Sequence, residues 1–226
     1  MDRPKPDRIR GAMPRMTIDI PQPFSREAFW ADFIRRHGCH AVAEIGVWRG
    51  EFAKTLLDAC PGITDYWMID PWRRLPEWNK LLNRHDEEFH LVREAALAAT
   101  AGHQGVRHVL RGTTAEVIDS IPDGSLDFAY VDGDHTLRGI TIDLLLIWPK
   151  VRDGGAIGGD DCTPWAGQHP PRYEPTFVSP WVAYFAEAMR APLTILPDHQ
   201  FLIHKRSDGF CIDDVSGTPR AWTVAA

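Results

Sequence analysis

The sequence predicts an α/β protein built on a doubly wound, mainly parallel sheet of seven strands, with an antiparallel hairpin at its C-terminal end. Three observations lead there. Short apolar runs alternate with amphipathic helical segments over residues 25–150, a pattern that places parallel strands side by side with helices on both faces. The predicted strand ends carry glycines and aspartates: Gly46, Asp70, Asp132 and the pair Asp160 and Asp161. Near the C-terminus, LTIL and HQFLIHK flank Pro197-Asp198 as the two arms of a hairpin.

Ser25 caps a helix running to about Arg36, with Phe29, Trp30, Phe33 and Ile34 on one face. AVAEIG over residues 41–46 is a short buried strand, and the helix over 51–59 groups Phe52, Leu56 and Leu57. TDYWMID, ending at Asp70, is the second strand; after an irregular stretch, residues 86–101 form a strong helix by propensity. VRHVLR over 106–111 and LDFAYVD, ending at Asp132, are the third and fourth strands, with a short helix over 114–120 between them. Leu137, Ile140, Leu144 and Ile147 form one stripe of a helix over 136–150, and Asp153-Gly154-Gly155 turns the chain into AIGG, the fifth strand. A last helix is expected around 182–190. A parallel sheet closed by a hairpin is the methyltransferase variant of the Rossmann-like sandwich.

A chain of 226 residues supports one core, which places one domain over 23–206 between an N-terminal arm (1–22) and a polar tail (207–226). The tail is read as a packing surface for a second copy of the chain, making a homo-oligomer. A net charge of −6 leaves no basic face for phosphates, which argues against nucleic acid as a partner. The opening residues are basic but lead into no apolar run, and no stretch of about eighteen apolar residues occurs, so no membrane partner is expected. Cys39, Cys60, Cys162 and Cys211 form no CxxC pair and read as free thiols of a reducing, cytoplasmic compartment.

In open α/β sheets ligands sit beyond the carboxyl ends of the strands. Gly46 and Gly50 let the chain turn tightly there, and Asp70 offers a carboxylate to a ribose diol, an arrangement that suits an adenosine cofactor. The G-x-x-x-G spacing lacks the G-x-G-x-x-G that cradles a pyrophosphate, which counts against a nicotinamide-dependent oxidoreductase. Thr113 and Thr114, ending the third strand, read both as adenine contacts and as the N-cap of the next helix, the cap falling on Thr114. Asp132 and Asp134 in VDGDH, with Asp160 and Asp161 in IGGDD, close successive strands. Neighbouring strand ends lie roughly 5 Å apart, so such carboxylates repel one another unless a hard cation such as Mg2+ joins them. That cation would activate an acceptor hydroxyl, and either Asp134 or His135 stands ready to take its proton. A metal-independent methyltransferase and a non-catalytic cofactor-binding protein are the rival readings; neither needs the cluster.

At these residues, over about 41–161, the sequence resembles the cation-dependent O-methyltransferases, especially the macrocin O-methyltransferase type that modifies sugars and other hydroxylated natural products. AEIGVWRG looks like the first motif, MIDPW the ribose-binding segment, and VDGDH with GGDD the metal site. The resemblance implies S-adenosylmethionine (SAM) and magnesium, with a small hydroxylated molecule as substrate. It implies Asp132, Asp160 and Asp161 as metal ligands, and Glu44, Gly46, Asp70 and Thr114 as cofactor contacts. Asp134 ranks first as base; His135 ranks second, standing where catechol-type relatives have a lysine. Phe52 departs from the pattern, because a serine there commonly binds the cofactor's carboxylate. Two aromatic segments, 71–85 and 162–177, are expected to cover the site and set specificity.

Overall fold

Ser25 ends the extended entry and caps α1 (Arg26–Arg36), its hydroxyl accepting from the Ala28 amide at 3.4 Å. The structure, a computed structural model, describes residues 18–164, 170–206 and 209–218. From α1 the chain alternates: β1 (Ala41–Ile45), α2 (Glu51–Ala59), β2 (Asp65–Asp70), α3 (Asp86–Ala99), β3 (Arg107–Arg111), α4 (Thr114–Val117), β4 (Leu126–Val131), α5 (Leu137–Ile147) and β5 (Val151–Gly159). Then follow α6 (Val178–Ala188), β6 (Leu193–Ile195), β7 (Phe201–His204) and β8 (Ile212–Asp214). The sheet order is β3-β2-β1-β4-β5-β7-β6-β8. Because β2 and β3 extend to one side of β1 while β4 and β5 extend to the other, the crevice between β1 and β4 is the switch point where a ligand enters.

The predicted fold class stands, with eight strands rather than seven. The added strand, β8, comes from the tail and pairs parallel to β6, with Leu193 opposite Ile212, so this part of the tail closes an edge of its own sheet. Three letters, Ile-Asp-Asp, carry too little apolar pattern to announce a strand; the open edge of β6 supplies the partner. The predicted hairpin is present, and β7 runs antiparallel to both β5 and β6. Asp153-Gly154-Gly155 is a bulge inside β5 and not a turn before it, since Val151 already pairs with Leu126 and the register shifts before Ala156 meets Phe128. α6 starts at Val178, earlier than expected, because Pro180 falls in the first turn, where an amide has no helical partner to lose.

Both faces of the sheet are covered at its centre, so β1 and β4 are largely apolar, while the edge strands β3 and β8 stay polar and partly exposed. On one face Trp30 of α1 and Leu56 of α2 share a core with Tyr66 of β2 and Phe128 of β4; on the other Ile140 and Leu144 of α5 share one with Val182 and Phe185 of α6. Trp30 is fully buried, 5.1 Å from Phe128 between ring centroids. Its ring lies where a side chain at Gly158 would point: a Cβ there would meet the indole at 2.3 Å. Gly158→Ala should therefore overpack the core and cost about 1–3 kcal/mol in a urea melt, without changing the unfolding cooperativity.

Candidate active site

The turn leaving β1 is shaped by its glycines. Gly46 has φ +87, and a Cβ on it would lie 2.0 Å from the Asp132 carbonyl oxygen, so only glycine lets the loop pass the end of β4. Asp70, at the end of β2, closes on this loop. Its Oδ2 accepts from the amides of Val47 (3.0 Å) and Trp48 (2.9 Å), and its Oδ1 from Trp72 (2.8 Å). Burial pushes the Asp70 carboxyl up, against the pull of those three amides. The residue predicted to face a ribose thus also braces the loop, and a carboxylate with about four acceptor sites keeps room for a hydroxyl.

Glu44 is buried on the α1 side of the sheet, with the Tyr66 hydroxyl 2.6 Å from Oε2, and burial pushes its carboxyl up to about 8. At the end of β3, Thr113 and not Thr114 is the N-cap: it forms a capping box with Glu116, whose Oε2 accepts from the Thr113 amide at 2.8 Å. One residue on, Thr114 is buried and donates to Asp143 Oδ1 at 2.6 Å. Both threonines therefore hold α4 in place.

The acidic residues converge, though in two groups. Asp132 Oδ1 lies 3.3 Å from His135 Nε2, while His135 Nδ1 pairs closely with Asp161. Ligand atoms of Asp132, His135 and Asp161 all lie within 4.8 Å of one another. Burial opposes the charge on His135, but the flanking carboxylates of Asp132 and Asp161 outweigh it and push the imidazole up to about 10. Asp160 has other partners but is joined to this group through Arg26, whose Nη1 also lies 3.5 Å from Asp132 Oδ2. Asp160 Oδ2 accepts from Arg26 Nη1 at 2.8 Å and its Oδ1 from Gln200 Nε2 and the Asp161 amide, each at 2.7 Å. Burial, then the neighbouring Asp132, pushes Asp160 up to about 6. Asp134 Oδ1 accepts from the Trp78 indole at 2.9 Å and the Thr136 amide at 3.0 Å. Gly139 makes space for it, since a Cβ there would meet Asp134 Cγ at 2.1 Å.

A methyltransferase domain family matches residues 43–162, a span that runs from β1 through the IGGDD end of β5. The chain belongs to that family. Among solved structures, this methyltransferase is similar to an O-methyltransferase from Bacillus cereus in complex with SAH, at 14% identity and a TM-score of 0.56, covering 83% of this chain and 82% of that one. TomG, an O-methyltransferase from Streptomyces achromogenes involved in tomaymycin synthesis and solved with SAM, gives 15% identity, coverage of 83% and 81%, and a TM-score of 0.55. The SAH-bound methyltransferase PaMTH1 from Podospora anserina gives 17% identity, coverage of 79% and 78%, and a TM-score of 0.55. At such identities the likeness is one of fold. Among curated proteins none matches the sequence.

The methyltransferase brings its two predicted covering segments together beside the site. Asn79 and Glu174 exchange hydrogen bonds, the Asn79 amide donating to Glu174 Oε2 at 2.8 Å and the Glu174 amide to the Asn79 carbonyl at 3.1 Å. Lys80 is buried between the segments and donates to the carbonyls of Glu174 (2.8 Å) and Pro175 (3.2 Å); burial lowers its pKa. The Phe177 amide donates to the His135 carbonyl at 2.9 Å, tying the second segment to the acidic cluster. An open groove of about 490 Å³ lies alongside, lined by Arg74, Trp78, Lys80, Arg84, Glu88 and Tyr173. Trp165 and His169, also expected there, lie outside the described residues.

Four site residues of the methyltransferase escape sequence reasoning: Arg26, Lys80, Asp143 and Gln200. Asp143 alone left a signal, a carboxylate beside Leu144 on the apolar stripe of α5. Burial pushes it up to about 7. The other three sit in polar contexts that read as surface, and only tertiary contacts bury or fix them.

Proposed function

We propose that this methyltransferase uses SAM to methylate a hydroxyl of a small polyhydroxylated acceptor, a sugar or a natural product, with the help of a divalent cation. The reading rests on one observation: Asp132, His135 and Asp161 gather beside the Gly46 turn at the end of β4, with Asp134 preceding His135 in the chain. The residues fit both groups. The tight Gly46 turn that ends β1 beside β4 and the remaining acceptor capacity of Asp70 suit an adenosyl cofactor. Asp132, His135 and Asp161 would hold the cation, which lowers the pKa of a hydroxyl bound to it. Asp160, committed to Arg26 and Gln200, braces that set from behind. A donor set with one imidazole favours a first-row transition ion such as Mn2+ alongside Mg2+.

Asp134 is the base in this reading. Its carboxylate is oriented by Trp78 and the Thr136 amide, whereas both ring nitrogens of His135 face carboxylates. Asp134 would take the proton of the acceptor hydroxyl, and SAM, when bound, would supply the methyl group, an O–CH3 bond replacing the S–CH3 bond with SAH as the product. The open groove beside Trp78, rich in charged and amide groups, suits a polar acceptor. Calorimetric titration of SAM, then Mn2+ or Mg2+, into wild type and Asp161→Ala tests the division of the site. Cofactor binding in both proteins with cation uptake in wild type alone supports it. Cofactor binding with no cation uptake by wild type points to a metal-independent methyltransferase, and absence of both sinks the reading.

A further inference from the structure

Arg26 stands at the first position of α1, beside the carboxyl ends of β4 and β5. Its guanidinium is held from several sides: Nη1 donates to Asp160 Oδ2 at 2.8 Å, Nε donates to Glu27 Oε1 at 3.0 Å, and Cζ lies 5.1 Å from the centroid of the Phe52 ring. Asp160 is itself anchored by Gln200, which is fully buried. The Gln200 side-chain oxygen accepts from the Trp30 indole at 2.9 Å and the Tyr130 hydroxyl at 2.7 Å. This chain of satisfied hydrogen bonds runs from the core to a single exposed end, the guanidinium, whose side chain is 28% exposed. Among the described residues Nη2 has no hydrogen-bond partner, so a pre-oriented donor edge remains for a ligand.

The surroundings say what kind of ligand. Asp132, Asp160 and Asp161 stand beside the guanidinium and the crevice, and Asp70 closes the loop that leaves β1. Carboxylates suit the sulfonium and ammonium of SAM but repel its α-carboxylate, which needs a cation or free amides. In the loop before α2 the Val47 and Trp48 amides are committed to Asp70, and the Gly50 amide to the Val47 carbonyl at 2.9 Å, so the backbone donors left on this side are the first-turn amides of α2, next to Phe52 and the guanidinium over its ring. Phe52, in the first turn of α2, presents a ring face with no donor. We propose that Arg26 receives the α-carboxylate of the adenosyl cofactor, with Phe52 as its platform and Asp160 as its positioning residue. The assignment rests on the SAM reading above.

Two ligands separate the amino-acid end from the rest of the cofactor: SAH carries the carboxylate, and 5′-methylthioadenosine lacks it. Calorimetry on wild type and Arg26→Met should show SAH weakened about 10- to 100-fold by the substitution, as for a lost hydrogen bond between charged groups, with methylthioadenosine binding unchanged. Arg26→Lys keeps the charge but not the planar fork; if Arg26→Met fails to fold, a loss of about 5-fold for SAH alone in Arg26→Lys supports the assignment in its place. Unaltered SAH affinity in the folded variants, or equal loss of both ligands, overturns the assignment. Wild type that binds methylthioadenosine as tightly as SAH overturns it too. Wild type that binds neither ligand removes the SAM reading itself, and the assignment with it.

Discussion

Asp134→Asn should lower the rate of methyl transfer by about 10²- to 10⁴-fold while leaving SAH affinity and folding intact. The amide keeps the shape of the carboxylate, and its oxygen can still accept from the Trp78 indole and the Thr136 amide, so the loop over Gly139 has no reason to move. What is lost is a group able to take a proton from the acceptor. Single-turnover rates, with calorimetry to confirm SAH binding, separate this loss from damage to the cofactor site. A variant that keeps wild-type turnover would move the base elsewhere. His135 is then the next candidate, and its imidazole would first have to leave Asp132 and Asp161 and the cation they share.

Glu44→Gln should make the unliganded protein more stable above pH 5, by about 3 kcal/mol at pH 7. The carboxyl is buried beside Tyr66 and is pushed from its ordinary value near 4.5 to about 8 by that burial. Below pH 4.5 it is protonated in both folded and unfolded chains and costs nothing. As the pH rises past 4.5 the unfolded chain releases the proton while the folded chain keeps it, so native stability falls steadily until about pH 8, where the folded carboxyl ionises as well. Glutamine meets the Tyr66 hydroxyl without a proton to lose. Urea melts of both proteins from about pH 5 to pH 8 should therefore diverge, wild type sloping downward relative to the variant. Parallel curves would show that Glu44 is ionised in the fold and that its burial is offset by a partner.

Ser25 could be recognised as a cap because a hydroxyl before an apolar helix satisfies a local amide, whatever the rest of the chain does. Thr113 was harder. Two adjacent threonines offer the same chemistry, and only the return contact from Glu116 decides which one caps, leaving Thr114 for Asp143. Asp132 and Asp161 were visible as strand-end carboxylates, and they do meet. Asp160 looked identical to Asp161 in the sequence, yet adjacent residues leaving a strand point in different directions, and Asp160 was turned toward Arg26 and Gln200.

The sequence by itself determined the order of strands and helices, the two-sided apolar sheet, the glycine turn after β1 and the acidic ends of β4 and β5. These follow from periodicity, backbone freedom and capping, which act within a few residues and so are written in local order. Only the tertiary structure decided that β8 completes the sheet, that Lys80 joins the two covering segments, and that Arg26 enters the acidic pocket from α1. Each of those depends on groups far apart along the chain being brought together, from 19 positions between Leu193 and Ile212 to 134 between Arg26 and Asp160. A contact of that kind leaves no pattern in the letters near it, because its energy comes from the burial and charge that the finished fold creates.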